Sequence, residues 1–239
     1  MTVKKNGVAL ALVKAVAVSV AVAFVFYSSL FGLIPGAVVG VYVFRIEKEK
    51  SRARWRRKTL LQFKNMISAL QAGLEAGNSM ERAFISATND MRELYGTNSD
   101  MVFEMEKAAR KLELSIPLEV AFSDMAKRYD LSEIYDFAEI ITVIKRTGGN
   151  TVQIIRSTVD KLTDEIELDA ELEVIVAAKR FEQQVMVYMP AMITVFLRVS
   201  NKGFLSPLYG NLTGILIMTV VLGANIGADY LGRRIVDIN

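Results

Sequence analysis

The longest apolar run of the chain, residues 8–44, reads VALALVKAVAVSVAVAFVFYSSLFGLIPGAVVGVYVF. Its only charged residue is Lys14. One helix of this length would exceed about 50 Å, whereas the hydrocarbon core of a bilayer is roughly 30 Å thick. We therefore expect the chain to fold back between Tyr27 and Pro35, where small residues, Gly32 and the proline interrupt the aliphatic pattern. A single, strongly tilted span is the alternative.

Two further apolar segments, Phe181–Val199 and Leu212–Leu231, follow a polar middle region. Each is about 20 residues long, which is the length that a helix needs to cross a bilayer. A polar loop at residues 200–207 separates them. Together with a mean hydropathy of +0.30, these segments predict an all-α, polytopic membrane protein with about four transmembrane helices.

Positive charge gathers beside the ends of these apolar segments. Residues 45–58 hold eight cations and two anions, a net charge of +6, and smaller basic pairs stand at Lys4-Lys5 and Arg233-Arg234. The positive-inside rule places all three groups on the cytoplasmic side, which predicts a multi-pass protein of the cytoplasmic (inner) membrane with both termini in the cytoplasm. A cleaved signal peptide is the competing interpretation of the N-terminus, although the apolar run is long and lacks a clean small-residue cleavage site.

We call residues 45–58 the basic collar. Its second half joins a dense group of cations to the only tryptophan of the chain: Arg52, Arg54, Trp55, Arg56, Arg57 and Lys58. Beside a membrane span, such residues suit contact with anionic membrane lipids and help to fix topology, and each cation near the surface contributes on the order of 1 kcal/mol. Charge alone would also allow nucleic-acid binding, but the position beside a span argues against nucleic acid as the partner.

The middle region, residues 59–180, is predicted to form an antiparallel bundle of six helices with short loops. Its apolar residues recur at spacings of three and four, and no segment alternates as a strand does. Five stripes show this spacing: Leu60, Phe63, Ile67, Leu70 and Leu74; Met80, Phe84, Ala87, Met91 and Leu94; Met101, Met105, Ala108 and Leu112; Leu118, Phe122, Met125 and Tyr129; Ile134, Phe137, Ile141 and Ile144. Capping or helix-breaking residues stand between the stripes, namely Gly77, Asn78 or Ser79, Ser99, Pro117, Ser132 and Gly148-Gly149-Asn150.

The sixth helix is predicted to begin near Thr151 and to continue into the third apolar segment, because no helix breaker precedes Pro190. It carries six acids within ten residues, which we call the acidic segment: Asp164, Glu165, Glu167, Asp169, Glu171 and Glu173. The plainest interpretation is charge that keeps a long helix soluble, and the sharper hypothesis is a docking surface for a basic partner. A metal site ranks third, because these acids spread around the helix and no ligand loop is present.

Glycines recur at four-residue spacing inside two of the predicted spans. Gly32, Gly36 and Gly40 form two overlapping GxxxG steps, and Gly223 and Gly227 form another. Such faces let helix backbones approach closely. They predict tight helix packing, either within the chain or against a second copy in an oligomer.

The chain contains no cysteine and no histidine. This composition removes disulfides, thiolate metal sites, CxxC redox motifs and the commonest general base. No GxxxxGK[ST] sequence is present, which argues against an intrinsic nucleotide hydrolase. We therefore expect no catalytic residues, no cofactor and no metal site, and a protein that is not an enzyme.

Hydropathy and charge together divide the chain into five predicted parts. They are an N-terminal transmembrane hairpin (1–44), the basic collar (45–58), a cytoplasmic helical domain (59–180), a C-terminal transmembrane pair (181–232) and a cytoplasmic tail (233–239). A continuous sixth helix would couple the cytoplasmic domain to the membrane.

Six short motifs follow one another along the chain: LQAGLEAGNS at 70–79, IPLEVAF at 116–122, RTGGN at 146–150, YMP at 188–190, GFLSPLYG at 203–210 and RRIV at 233–236. In this order, and with this membrane layout, they resemble the F-domain membrane platform proteins of type II secretion systems and of type IV and Tad pilus machines, specifically the TadB/TadC branch. The resemblance covers about Leu60 to Ile238.

This resemblance implies an inner-membrane scaffold without catalysis of its own. Such a platform holds a hexameric cytoplasmic secretion ATPase, a second platform protein of the same family and pilin-like subunits, and couples the ATPase to pilin assembly or protein secretion. Two other classes stay open. One is a membrane-anchored signalling or sensor protein, without a phospho-accepting histidine; the other is a small transporter with a polar path made of Lys14, Arg198, Asn225 and Asp229.

Overall fold

The computed structural model describes residues 11–20, 33–147, 151–200 and 211–236. Within these ranges every regular element is an α-helix, which confirms the predicted all-α fold. The helices are α1 (Ala11–Val20), α2 (Leu33–Glu75), α3 (Met80–Tyr95), α4 (Asp100–Glu113), α5 (Leu118–Tyr129), α6 (Ser132–Thr147), α7 (Thr151–Ser200) and α8 (Leu212–Val236). Three predicted turns lie wholly or partly outside the described residues: the fold-back near 27–35, the segment 148–150 and the loop after residue 200.

Two helices are much longer than the others, α2 with 43 residues and α7 with 50. α2 runs through the basic collar without a break. Apolar periodicity did not indicate this continuity, because most residues of the collar are charged. α7 passes through Pro190 and ends at Ser200. The predicted continuous sixth helix is therefore confirmed.

The described helices form two compact units. The central unit comprises Ala53–Asp169, and the terminal unit comprises the described residues before Ala53 and after Asp169. α2 and α7 contribute residues to both units. These limits follow helix packing, whereas the predicted limits at residues 59 and 180 follow charge and hydropathy.

Four phenylalanines form the centre of the central unit. Phe63, Phe84, Phe122 and Phe137 are fully buried, and their rings meet edge to face with centroid separations between 5.1 and 5.5 Å. Each such pair contributes about 0.5–1.5 kcal/mol beyond the burial of the rings. The residues of the five predicted stripes are buried or packed against this core, except for Leu94 at the end of α3, which is 64% exposed.

The turns of the central unit fix where its helices begin and end. Ser79 precedes α3, and its hydroxyl accepts the N–H of Arg82, a cap that typically stabilises a helix by about 1 kcal/mol. Gly77 has a φ of 83°, as expected for a glycine that ends a helix. Ser99 precedes α4 without a side-chain cap bond. Asp130 ends α5 in the left-handed conformation, which the sequence analysis did not anticipate.

In the terminal unit, α8 is the one described helix that is both long and apolar enough to cross a membrane. The qualifying residues are Thr213–Gly232, whereas α1 is apolar but shorter. α7 is not among the qualifying helices, and polar residues such as Gln183, Gln184 and Arg198 lie within the predicted third span. One potential membrane-spanning helix is therefore found, and the predicted four-span arrangement is not confirmed.

Candidate functional site

The acidic segment of α7 is divided between two faces of the helix. Glu165 and Asp169 lie beside Arg56 of α2: Glu165 Oε1 is 3.8 Å from Arg56 Nη2, and Asp169 Oδ2 is 4.0 Å from Arg56 Nη1. Residues four apart share a helix face, so these two acids are directed together at the basic collar. The structure thus brings one residue of the collar against two residues of the acidic segment.

The other acids of the segment lie elsewhere on α7. Asp164, Glu167 and Glu171 are exposed and spaced by three and four residues, so they share a second face that Asp160 extends by one turn. We call these four residues the outer acidic stripe. Glu173 is also exposed and continues the spacing of Glu165 and Asp169. Among the residues that the structure describes, no three acids are grouped so as to hold a metal ion.

Glu133 of α6, which the sequence analysis did not select, is the closest ionic partner of Arg56. The Arg56 guanidinium donates to Glu133 Oε1, and the Glu133 side chain is only 8% exposed. Burial, followed by the negative charge of Glu133, raises the pKa of Glu165. In the sequence, Glu133 looks like an ordinary acid in the first turn of a helix, where the helix dipole favours it. Its role at Arg56 follows only from the packing of α6 beside α2.

Two of the predicted lipid-contact residues are engaged within the central unit. Trp55 stacks on Tyr129 of α5, with ring centroids 6.3 Å apart, and is partly buried against the core. Arg56 binds the carboxylates described above. The remaining four residues of that group are exposed, namely Arg52, Arg54, Arg57 and Lys58. Their contact with lipid stays a prediction.

A second buried carboxylate that the sequence analysis missed is Glu104 of α4. It is 4% exposed, and its Oε1 lies 2.9 Å from the Nε of Arg128 on α5. Burial, and then the charge of Glu104, raises the pKa of the Tyr129 hydroxyl. Only the carboxylate of this pair is buried, because the Arg128 side chain is 43% exposed and solvent screens its charge. The Glu104–Arg128 pair joins α4 to α5, and nothing in the apolar pattern of α4 could have located its partner.

The first GxxxG face lies at a contact inside the chain. A Cβ atom on Gly36 would stand 2.7 Å from the carbonyl oxygen of Ser19, and one on Gly40 would stand 3.2 Å from the carbonyl oxygen of Ala15. Only residues without a side chain let α1 and α2 approach this closely.

The second GxxxG face is open among the described residues. A Cβ atom on Gly223 or on Gly227 would meet no atom within 4 Å. Gly32, the first glycine of the other pattern, lies outside the described residues. The two predicted glycine faces therefore differ in what the structure places against them.

Polar side chains join α2, α7 and α8 within the terminal unit. The Tyr42 hydroxyl donates to Asp229 Oδ2 at 3.0 Å, and the Gln183 amide donates to the Asp229 carbonyl oxygen, also at 3.0 Å. Gly232 leaves room for this approach, because a Cβ atom there would stand 2.7 Å from Gln183 Nε2. Asp229 is 7% exposed in an otherwise apolar helix, where a buried polar group needs such partners.

The contacts described above are helix-packing contacts, ion pairs and exposed charged surfaces. No family model, curated protein or solved structure matches this chain. The resemblance to platform proteins therefore rests on the motifs alone, and the structure gives some of them a physical role. A Cβ atom on Gly73 would stand 2.8 Å from the Cβ of Ala83, so this glycine permits the close approach of α2 and α3. Pro117 occupies the N-cap position of α5. The motif at 203–210 and most of that at 146–150 lie outside the described residues.

Proposed function

We propose that this chain is a non-catalytic platform protein of the cytoplasmic membrane. In this role the central unit binds a hexameric cytoplasmic ATPase, and the terminal unit provides about four membrane spans with both termini on the cytoplasmic side. A second platform protein and pilin-like subunits are the further partners. The platform would couple the ATPase to pilin assembly or protein secretion.

The observation that supports this proposal most directly is the apolar surface of α7 beyond the central unit. Phe181, Met186, Met192 and Phe196 are between 65% and 76% exposed. Soluble proteins rarely leave so many large apolar side chains together in water. Lipid or further packed helices would cover these side chains, and both are available to a membrane platform.

The central unit supports a binding role for a different reason. Its interior is filled by apolar side chains, including the four phenylalanines, and its described charges lie mainly on the outside. An exposed acidic face such as the outer acidic stripe can steer and orient a basic partner. We infer that the ATPase approaches the bundle on this face of α7.

Thiol labelling with a membrane-impermeant reagent tests the proposed orientation. The chain has no cysteine, so single replacements report one position at a time. We expect Ser28→Cys and Asn201→Cys to be labelled in intact cells, and Ser86→Cys only after permeabilisation. Ser86 suits the central unit because it is exposed, whereas Ser99 is buried. Labelling of Ser86→Cys in intact cells would contradict the cytoplasmic placement.

Affinity purification of the full chain from cells that produce it tests the proposed function. Co-purification of an ATPase and pilin-like proteins supports a platform. A stable kinase partner would instead indicate signalling, and substrate flux in liposomes that contain only this chain would indicate transport. Either of these two results contradicts the proposal.

Neutralising three of the four residues of the outer acidic stripe is expected to weaken binding of the ATPase. Exposed charge pairs contribute roughly 0.2–1 kcal/mol each, so replacing Asp164 by Asn and Glu167 and Glu171 by Gln should lower affinity roughly threefold to a hundredfold, and less at high salt. Single replacements should have little effect. The measurement is ATPase binding by the purified triple variant at low and high salt.

The matched control for this experiment is the pair Glu165→Gln and Asp169→Asn. These substitutions remove charge from the same helix, but on the face that Arg56 occupies. We expect the control pair to bind the ATPase like the wild type. Full binding by the triple variant at both salt concentrations would show that the stripe is only a solvated surface.

A further inference from the structure

The first half of α7 is held on the central unit by few buried apolar side chains. Ile155 and Leu162 are the buried apolar side chains among the described residues of this half, and Ile154, Val159 and Ile166 are partly buried. By contrast, α6 buries Ile134, Phe137, Ala138, Ile141 and Ile144 along its length. Polar contacts therefore contribute a larger share of the docking of α7 than of its neighbours.

Two ionic contacts attach this half to α2: Arg156 of α7 donates to Glu75 Oε1 at 2.6 Å, and a charge cluster around Arg56 lies farther along the helix. Three groups face Glu165: Glu133 from α6, Arg56 from α2 and Asp169 from α7 itself. The cluster thus places three carboxylates around one guanidinium. Since Arg56 binds Glu133 most closely, Glu165 receives only a longer and weaker attraction, at 3.8 Å.

Glu165 and Glu133 lie beside the same nitrogen of Arg56, Nη2, and the neighbouring carboxyl of Glu133 raises the pKa of Glu165. Two ionised carboxylates in this arrangement repel, whereas a single proton between them makes one the donor and the other the acceptor. Burial, and then the charge of the neighbouring carboxylate, favours the neutral form of Glu165 and so raises its pKa.

We propose that Arg56, Glu133 and Glu165 form a proton-dependent latch that holds the first half of α7 against α2 and α6. With Glu165 protonated, its O–H donates to Glu133 while Arg56 balances the remaining charge. With Glu165 ionised, the two carboxylates repel and, within this cluster, only the attraction of Arg56 opposes that repulsion. The latch is a property of this chain and does not depend on the proposed platform function.

The direction of the pH effect follows from the raised pKa of Glu165. The docked state binds the proton more tightly than a released state in which Glu165 is surrounded by water. The contribution of the latch is therefore complete below the ordinary pKa of a glutamate and is lost as the pH rises through the raised pKa of the docked state. Acidification below the ordinary pKa of a glutamate should therefore tighten α7, and a pH above the raised pKa of Glu165 should loosen it.

Hydrogen exchange on the full-length protein in detergent micelles tests this latch. Amide protection of residues 151–169 is measured at about pH 4, below the ordinary pKa of a glutamate, and at about pH 7.5, and is divided by the protection of α5 in the same sample, so that the intrinsic effect of pH cancels. We expect the wild type to show severalfold higher relative protection at the lower pH. The Glu165→Gln substitution keeps the shape of the side chain, and its amide can donate to Glu133 at any pH. In this variant the protection of residues 151–169 should therefore be high and equal at both pH values.

Two further variants separate a latch from ordinary packing. Arg56→Gln should lose protection of residues 151–169 at the higher pH and regain it at the lower pH, because the proton then takes over from the guanidinium. The control Glu167→Gln, on the outer acidic stripe, should behave like the wild type. The latch is refuted if the wild type shows no pH dependence, if Glu165→Gln retains it, or if Arg56→Gln loses protection equally at both pH values.

Discussion

Replacing Phe137 by alanine is expected to lower the free energy of unfolding of the central unit by about 3–5 kcal/mol. Phe137 is fully buried, and its ring meets Phe63 at 5.5 Å and Phe122 at 5.1 Å between centroids. The substitution therefore removes two edge-to-face contacts and leaves a cavity at the point where α2, α5 and α6 meet. Because domains are commonly stable by only about 5–15 kcal/mol, a large part of the stability would be lost.

Trp55 provides the measurement for this prediction. It is the only tryptophan of the chain and stacks on Tyr129 inside the central unit, so its fluorescence during urea unfolding reports this unit. The matched control is Tyr135→Ala, an aromatic deletion on the same helix at a side chain that is 42% exposed. We expect Tyr135→Ala to lower the free energy of unfolding by less than about 1 kcal/mol. Equal losses from the two variants would show that the four phenylalanines do not form the stabilising centre.

The helices of the central unit could be predicted because their buried faces repeat with the period of a helix. From Leu60 to Ile144 the apolar spacing located each helix, and Gly77 and Ser79 marked a boundary that the structure confirms. The predicted burial of Leu94 was wrong. This residue continues the apolar pattern into the last turn of α3, but it is exposed there. Apolar spacing thus locates a face, and only packing decides how far along the helix that face is buried.

Contacts between charged groups could not be predicted in the same way. Arg56 and Glu133 are 77 residues apart in sequence, and Tyr42 and Asp229 are 187 apart. The charge count identified the basic collar and the acidic segment as separate features, but composition contains no information about which helices lie side by side. The contact of Arg56 with Glu165 and the selection of Glu133 therefore required the structure.

The membrane spans were the least secure part of the sequence prediction for a related reason. Apolar length alone suggested four spans, yet a membrane span also needs a long window of high mean hydropathy with few charged residues, and among the described helices only Thr213–Gly232 provides one. The N-terminal run is described only at 11–20 and from residue 33 onward. The thiol-labelling experiment and the test of the packing of α1 against α2 therefore examine the membrane part of the proposal most directly.

Gly36→Leu is expected to displace α1 from α2. A Cβ atom on residue 36 would already stand 2.7 Å from a backbone oxygen, that of Ser19, which cannot rotate away as the end of a side chain could. Leucine adds three more carbons at this point, and overpacking of this kind commonly costs about 1–3 kcal/mol and shifts the backbone. The ion pair between Lys14 of α1 and Glu47 of α2, 2.8 Å long, should separate as a consequence.

A zero-length carbodiimide crosslinker measures this separation, because it joins a lysine to a carboxylate only when the two are in contact. We expect the Lys14–Glu47 crosslink, detected by mass spectrometry, to be abundant in the wild type and largely absent from Gly36→Leu. Gly223→Leu is the matched control, since a Cβ atom there meets no described atom within 4 Å, and it should leave the crosslink unchanged. If Gly36→Leu instead keeps the crosslink while the complex becomes smaller on native detergent gels, the first GxxxG face packs against a second copy of the chain and not against α1.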